Sequence, residues 1–471
     1  MIRRITSSDR ILEDLKISYK KEVKPEDVTE WSSDIGRFPY IVFSYLDKLV
    51  LEANDIIYFK LYGDKYIPEM ECIFRDPTNK LADYMFPLDK SIVSLMIKSN
   101  SENLMPIRCD FYITNFNLVK SGMKDDKVYK MKCVLDLPII LKNSSFPKMT
   151  SFEVLKQVSS DSRLGFCTNI DNTDDRMTWI NPGEDYIREF VPEEVVPYSY
   201  KSDDSFLWSF VDYYYNLNYI DIETALNEDI TNQQTILNTS DTTGTEKTID
   251  LILTNHPDKR SSNLYLDRWN LDNDSTDINI DISYEPWIFY LDEINNNFVQ
   301  ILLDTISTTG NDKSSIVLKK RNDSVNTTDG NSQLKKKYFL GKLDIDNAHK
   351  NLLYAEKHNE NNILSLQKIK MNVVLPNLNF SLYRFQTVEV VLYDLNDMET
   401  KKGKDDHNIN QILKDENKIN NRLSGKWLIT GINWVMDQKN MKGGGQTIFV
   451  QEITMVRREL TTLYKSKKSS T

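Results

Sequence analysis

No stretch of this chain approaches the roughly 18 consecutive apolar residues of a membrane-spanning helix, and Met1 to Asp27 is charged, without the apolar centre of a signal peptide. No membrane anchor is therefore expected, and the protein is expected to begin in the cytoplasm. Histidine is scarce: His256, His349, His358 and His407 lie in polar surroundings and in no HExxH or other two-ligand spacing, which argues against zinc hydrolase chemistry. The four cysteines, Cys72, Cys109, Cys133 and Cys167, form no CxxC pair and read as buried free thiols, not as a zinc ribbon or redox motif. There is no Walker A loop, no GxGxxG and no GxSxG. Gly443 to Gly445 falls between two strand-like runs, where it reads as a hairpin loop and not a phosphate cradle.

Other chemistry is missing too. DNDSTD, Asp272 to Asp277, spaces its acidic oxygens like a calcium loop but lacks the central glycine and the distal glutamate. The 70 acidic residues include no pair in a recognisable glycosidase setting. No catalytic, cofactor-binding or metal-binding residue is expected, and the chain is not expected to be an enzyme. A concentrated basic face is also lacking: the formal charge is −11, and the only dense basic runs are Lys335 to Lys337, Arg457 with Arg458, and Lys465 to Lys468. Each reads as a solvated segment, so broad binding to nucleic-acid phosphates is not expected.

What the chain does have is strands. Between Gly36 and Pro138 lie YIVFSYLDKLVL, DIIYFKLYG, EMECIF, SIVSLMIK, IRCDFYITNFNLV and VYKMKCVLDLPIIL, separated by turn signals such as RDPTN, and these predict a β-barrel or sandwich. The texture changes at Thr150, which with Glu153 forms a capping box and predicts a helix from about Ser151, with Gly165 ending the unit through a positive φ. A short strand is expected around Met177 to Ile180. A second helix is expected from Asp203 and Asp204, with Phe206, Leu207, Phe210, Val211 and Tyr214 on its apolar face. Asn227 to Lys247 and Thr305 to Lys337 read as long polar loops around a small ordered module, DINIDISYEPWIFYL with NNFVQILLDTI. Lys401 to Leu423 is a further charged excursion.

The end of the chain echoes its beginning. Ile113–Val119, ITNFNLV, aligns with Ile429–Val435, ITGINWV, in a shared I-T-x-φ-N-φ-V pattern where φ is apolar. Upstream, Ile57, Leu61 and Tyr62 align with Val388, Leu392 and Tyr393. Downstream, each copy has a polar turn and a return strand, KVYKMKCVLDLP or QTIFVQEITMVRREL. A duplicated barrel, its second copy interrupted by insertions, explains the order of these elements. The expected fold is mainly β with α+β parts: a first barrel at 1–145, a small α/β domain at 146–200, a second barrel at 201–226 with 369–471, and an inserted module at 227–368.

Trp179, Trp287, and the pair Trp427 and Trp434 are the candidate ligand-stacking tryptophans. The last two differ by an odd number, so in a regular strand they point to opposite faces, and they share a platform only if a bulge intervenes. The run from Lys426 to Met436 is apolar on both faces, which implies a barrel core on one side and a neighbouring domain or subunit on the other. Trp427, Ile429 and Trp434, with Phe116 and Leu118 in the first copy, are the candidate interface residues.

The order barrel, FPKMTSFEVLKQVSSDSRLGFCTN with DDRMTWINPGEDY, SYKSDDSFLWSFVDYYYNLNY, then a second barrel ending GKWLITGINWVMD and QTIFVQEITMVRREL, resembles the baseplate hub proteins of contractile-tailed bacteriophages. The same plan appears in the base of type VI secretion spike proteins. The resemblance implies two barrels related to tail-tube subunits, and a homotrimer whose six barrels match a sixfold tube to a threefold spike. It further implies a tail tube protein, a central spike protein and baseplate wedge proteins as partners. It also implies a virion location in the tail baseplate, assembly in the host cytoplasm, and DNA that passes through without specific binding. The acidic balance suits a lumen that repels phosphate, and ordinary solubility accounts for it equally well. Two rival readings remain: a glycan-binding, adhesin-like β protein of a virion with exposed aromatics, and a glycan hydrolase inside the insertion.

Overall fold

The computed structural model describes residues 2–8, 38–43, 50–76, 81, 91–97, 107–121, 127–202, 204–228, 252–273, 284–292, 297–302, 335–340, 348–349, 351–352, 355–356, 358–359, 366, 369–393, 419–439 and 446–457. Eight strands come first: β1 (Arg3–Thr6), β2 (Tyr40–Phe43), β3 (Val50–Leu51), β4 (Ile56–Tyr62), β5 (Glu69–Arg75), β6 (Ile92–Ile97), β7 (Ile107–Ser121) and β8 (Lys127–Leu135). Except for β1, they form half of one 13-stranded sheet in the order β4-β5-β8-β7-β6-β2-β3. Alternation explains the choice of strand. In β5, Met70, Cys72 and Phe74 face the core while Glu71 and Ile73 are only partly buried, and β8 repeats the pattern with Tyr129, Met131, Cys133 and Leu135.

The middle of the chain builds a separate small unit. β9 (Leu141–Met149) pairs with β11 (Met177–Asp185), and between them lie α1 (Ser151–Asp161) and β10 (Gly165–Thr168). The Thr150 and Glu153 capping box is present, and it starts α1 where expected. The helix does not end through Gly165. Arg163, with φ 56°, takes the left-handed position, and Gly165 opens β10 pressed against its neighbours. A Cβ there would meet the Asn216 side chain at 2.2 Å and the Thr6 carbonyl at 2.9 Å, so close approach is what requires glycine.

A π-helix, Tyr186–Val195, leads to β12 (Leu207–Val211), β13 (Asn216–Asp221) and α2 (Ile222–Asn227). The helix expected from Asp203 is thus a strand. LWSFV pairs antiparallel with β13, from Leu207 opposite Asp221 to Val211 opposite Leu217, and is largely buried on both faces. A strand covered on both sides loses the two-residue alternation that marks it, and its apolar run imitates a helical face. The Asp212 carboxylate closes the turn by accepting from the backbone amides of Tyr214 and Asn216 and from the Asn216 and Asn218 side chains.

These two strands belong to a four-stranded sheet, β1-β10-β13-β12, and not to the second barrel to which 201–226 was assigned. β10 and β13 run parallel, which demands a long crossover and ties the segment to the small unit. The extreme N-terminal strand joins the same sheet through Arg3 opposite Thr168.

The second half of the large sheet is assembled from widely spaced pieces. β14 (Ile252–Thr254) and β15 (Arg268–Asn273) come from within the expected insertion. β16 (Tyr284–Asp292) and β17 (Asn297–Leu302), from the expected ordered module, form their own three-stranded sheet with β18 (Lys335–Leu340), which begins inside the second expected polar loop. β19 (Ile369–Leu375), β20 (Thr387–Val391), β21 (Gly425–Lys439) and β22 (Gln446–Arg457) complete the set in the order β15-β19-β22-β21, with β20 beside β21 and β14 beside β20. Most of both long polar loops, and the charged excursion up to residue 418, lies outside the described residues. No helix among the described residues is long and apolar enough to cross a membrane.

All four cysteines are free and buried, and burial pushes each thiol upward. A thiol reagent at pH 8 should leave the native protein unlabelled and modify all four residues after denaturation. Native labelling of Cys72 or Cys133 at the denatured rate would contradict the core described here.

A duplicated hairpin and its two edges

The repeated pattern sits at equivalent places in the two halves of the sheet. In β7, Ile113 lies opposite Cys133 and Asn115 opposite Lys132. In β21, Ile429 lies opposite Met455 and Gly431 opposite Thr454. Each copy therefore carries one extra residue, Thr114 or Thr430, and that residue is a β-bulge. Both threonines use the bulge in the same way. Thr114 Oγ1 donates to the Lys132 carbonyl at 3.0 Å, and Thr430 Oγ1 donates to the Thr454 carbonyl at 3.3 Å. The register stays equivalent for the next four residues, through Leu118 opposite Tyr129 and Trp434 opposite Gln451.

Topology extends the equivalence and corrects one part of it. β5 lies beside β8 as β19 lies beside β22, β6 beside β7 as β20 beside β21, and β4 beside β5 as β15 beside β19. The counterpart of β4 is thus β15, and β20 corresponds to β6. The upstream alignment of Ile57, Leu61 and Tyr62 with Val388, Leu392 and Tyr393 does not hold, because it matches strands at different places in the two sheets.

The bulge also reverses the parity argument about the tryptophans. With Thr430 inserted, Trp427, Ile429, Ile432, Trp434 and Met436 all enter the main core, while Leu428 enters a second core with Val456, Phe210 and Phe385. Trp427 and Trp434 are therefore on one side, and neither is free to stack on a ligand. Trp427 Nε1 donates to the Leu423 carbonyl at 2.9 Å beneath the buried Arg457 guanidinium, and Trp434 packs on Phe380 and Phe449. Trp179 is likewise buried, with Nε1 on the Met149 carbonyl at 2.9 Å, and the Trp287 side chain lies outside the described residues.

Of the five expected interface residues, Trp427, Ile429 and Trp434 are buried within the main core of the chain. Phe116 is half-buried against Phe74 and Tyr129. Leu118 remains at the surface, 44% exposed, next to Val119 at 55%.

The two halves meet edge to edge. The last part of β21 pairs antiparallel with β4, placing Asn433 opposite Tyr62 and Asp437 opposite Tyr58. The joint is locked at Gly63, whose amide donates to the Ile432 carbonyl at 3.1 Å and to Asn433 Oδ1 at 3.0 Å. A Cβ on Gly63 would stand 2.4 Å from the Ile432 carbonyl oxygen. Arg384 completes the lock: Nε donates to the Thr430 carbonyl at 2.8 Å, Nη1 to the Lys65 carbonyl at 2.7 Å, and the guanidinium lies 4.2 Å from the centre of the Phe210 ring. Burial lowers its pKa to about 10, so it stays charged at neutral pH. One side chain thus holds both halves of the large sheet and the small unit together.

One cluster imitates a catalytic site. The Asp175 carboxylate accepts from Ser151 Oγ at 2.5 Å and Thr173 Oγ1 at 2.7 Å, with the Tyr219 hydroxyl 2.8 Å from Ser151 Oγ. Ser151, Asp175 and Tyr219 are fully buried, and Asp175 also accepts from the Ser151 and Tyr200 amides. The cluster therefore pins α1 to the small sheet. His349 and His358 are spent on the Tyr198 and Ser205 carbonyls. Among the described residues, no group of three His, Cys, Asp or Glu side chains is placed to hold a metal.

Trp434→Ala should cost about 3–5 kcal/mol of stability by denaturant unfolding, while Leu118→Ala in the isolated chain should stay within about 0.5 kcal/mol. Equal effects would mean that the two copies are packed alike. Arg384→Ala strips the Thr430 and Lys65 carbonyls of their donor and should cost about 2–4 kcal/mol, roughly twice the penalty for one group.

No family model matches the chain, and no curated protein is matched. Among solved structures, it is similar to the tail protein from Neisseria meningitidis MC58, at 8% identity over 89% of this chain and 96% of that one, with a TM-score of 0.47. It is also similar to the 43 kDa tail protein of prophage MuSo2 from Shewanella oneidensis, at 10% identity over 89% and 99% of the two chains, with a TM-score of 0.45. A third similarity is to the half-lidded Francisella PdpA-VgrG complex, at 12% identity over 98% of this chain and 65% of that one, with a TM-score of 0.41. These are likenesses in outline, and no residue correspondence follows from them.

Proposed function

We propose that the chain is a structural baseplate hub of a phage contractile tail: a homotrimer with pseudo-sixfold symmetry that joins the tail tube to the central spike and initiates tube assembly. The observation that carries the proposal is the duplicated hairpin, with the same bulge and the same threonine hydrogen bond, set in two sheet halves that join edge to edge. A chain with two equivalent sheets side by side is a repeating unit for a ring, and three such chains supply six equivalent positions on a threefold axis. A sixfold tube and a threefold spike can then both dock without mismatch. The tail tube protein would stack on one end, the spike protein on the other, and wedge proteins on the outside, while DNA passes through without specific binding.

The role is geometric, and no enzymatic step is assigned. The described residues supply a serine, an aspartate and histidines, but the hydrogen bonds above commit them to the fold. Of the tryptophans considered for the rival glycan-binding reading, Trp179, Trp427 and Trp434 are buried, and the Trp287 side chain lies outside the described residues.

The purified protein is expected to run in solution at three times the 55.0 kDa of one chain. Images of the assembly should show six lobes from three chains. Six chains in one ring, or a single chain at all concentrations that binds glycan saturably, would overturn the reading.

A further inference from the structure

Between β18 and β19 the chain passes the small unit, and three buried side chains fasten it there. His349 Nε2 lies 2.9 Å from the Tyr198 carbonyl, and His358 Nε2 lies 2.9 Å from the Ser205 carbonyl. Asn359 Nδ2 donates to the Pro197 and Ser199 carbonyls, while its Oδ1 accepts from the Leu207 amide. Helical bonds from the Leu352 amide to the His349 carbonyl and from the Ala355 amide to the Asn351 carbonyl keep these side chains in step. The three together clasp the 197–207 segment that leads into β12.

The geometry fixes one hydrogen in this clasp. A carbonyl only accepts, so His349 Nε2 carries the hydrogen, and Nδ1 accepts from the Asn351 amide at 3.3 Å. The closed clasp therefore requires a neutral imidazole. A second proton would go on Nδ1 and point at the Asn351 N–H, donor against donor. The surroundings are already short of acceptors: Asn351 Nδ2 is buried without one. The Asp175 carboxylate accepts from the Ser151 and Tyr200 amides, Ser151 Oγ and Thr173 Oγ1.

We propose that His349 makes this clasp proton-operated: acidification puts a hydrogen on Nδ1, breaks the Asn351 bond and frees His349, His358 and Asn359 from the 197–207 segment, with both large half-sheets still folded. Release lets the three-stranded sheet change its seat on the small unit without any change in the large sheet. The device does not depend on the hub reading.

The charged groups facing His349 are Asp174 and Asp175, on the segment before β11; the 197–207 segment meets it with a carbonyl, and β11 with the Trp179 ring. Burial holds the imidazole below its ordinary range and outweighs both carboxylates, which favour the cation. A histidine depressed in this way contributes stability that is whole above the ordinary value of about 6.5 and is lost as pH falls through the folded value. Asp175 works in the opposite sense. Burial raises its pKa, so taking up a proton favours the fold and cannot open the clasp.

The test is hydrogen exchange on the full chain, read at the Asn351, Leu352 and Leu207 amides at pH 7.5 and pH 5.0 and corrected for the intrinsic rate. Protection at these amides should fall at least about tenfold in acid while β5, β8, β13 and α1 keep theirs. His349→Gln keeps a donor for the Tyr198 carbonyl and does not titrate, so its clasp should stay protected at both values. Equal protection of the wild type at both values would overturn the proposal. So would a glutamine variant that opens at the same pH as the wild type, or opening only together with β13 and α1. Nitrogen-15 histidine spectra of the wild type decide independently of any variant: at pH 7.5 His349 should be neutral with its hydrogen on Nε2, and a cation or a hydrogen on Nδ1 would overturn the clasp.

Discussion

One inserted residue sets the parity of the long strand β21. Side chains on a strand alternate with a period of two, so a 15-residue strand without interruption would split Trp427 and Ile429 from Ile432, Trp434 and Met436. Thr430 resets the count, and all five then reach one core. The bulge carbonyl, that of Thr430, is the one that Arg384 holds, and Arg384 in turn reaches the first half of the sheet through Lys65 and the small unit through Phe210. Core composition, the joint between the two half-sheets and the seat of the small unit therefore follow from the same local distortion. Its recurrence at Thr114 shows that the distortion belongs to the repeated unit and was not added for one contact.

How well the sequence revealed this depended on how local each signal was. The capping box at Thr150 and Glu153 acts over three residues, and the helix begins where it says. The I-T-x-φ-N-φ-V echo survived duplication because the threonine, the apolar residues and the turn between the strands are all needed by the hairpin itself. Long-range facts were hidden. LWSFV looks helical until β13 and the layers on both its faces are known. The threonine in each repeat gives no sign that it is an extra residue, so the odd spacing of the tryptophans pointed the wrong way. Trp269 was missed for the same reason: its neighbourhood, LDRWNLDND, reads as a polar segment, and only the placement of β15 beside β19, as β4 lies beside β5, shows what edge it sits on.

The two copies have diverged where their surroundings differ. Trp434 needs a large side chain to fill the space between Phe380 and Phe449, and its counterpart Leu118 has no such space to fill within the chain. Asn433 keeps its amide for the Gly63 turn and Asp64, while Asn117, the same residue in the repeat, donates to the neighbouring Asn115. Position by position, the in-chain joint has become a packed core, and its counterpart has kept a surface.

The β4–β21 joint also has a consequence in time. Its partners are some 370 residues apart in the chain, so Gly63 leaves the ribosome long before Asn433 exists. At typical synthesis rates that interval is about 20–70 s, far longer than a hairpin takes to form. Throughout it, the first half-sheet waits with β4 uncovered, and the β21 of another copy would fit that edge as well as its own will. Crowded synthesis on one messenger thus favours exchange of β21 between chains, and molecules made this way would have the correct outline with their strands traded among neighbours.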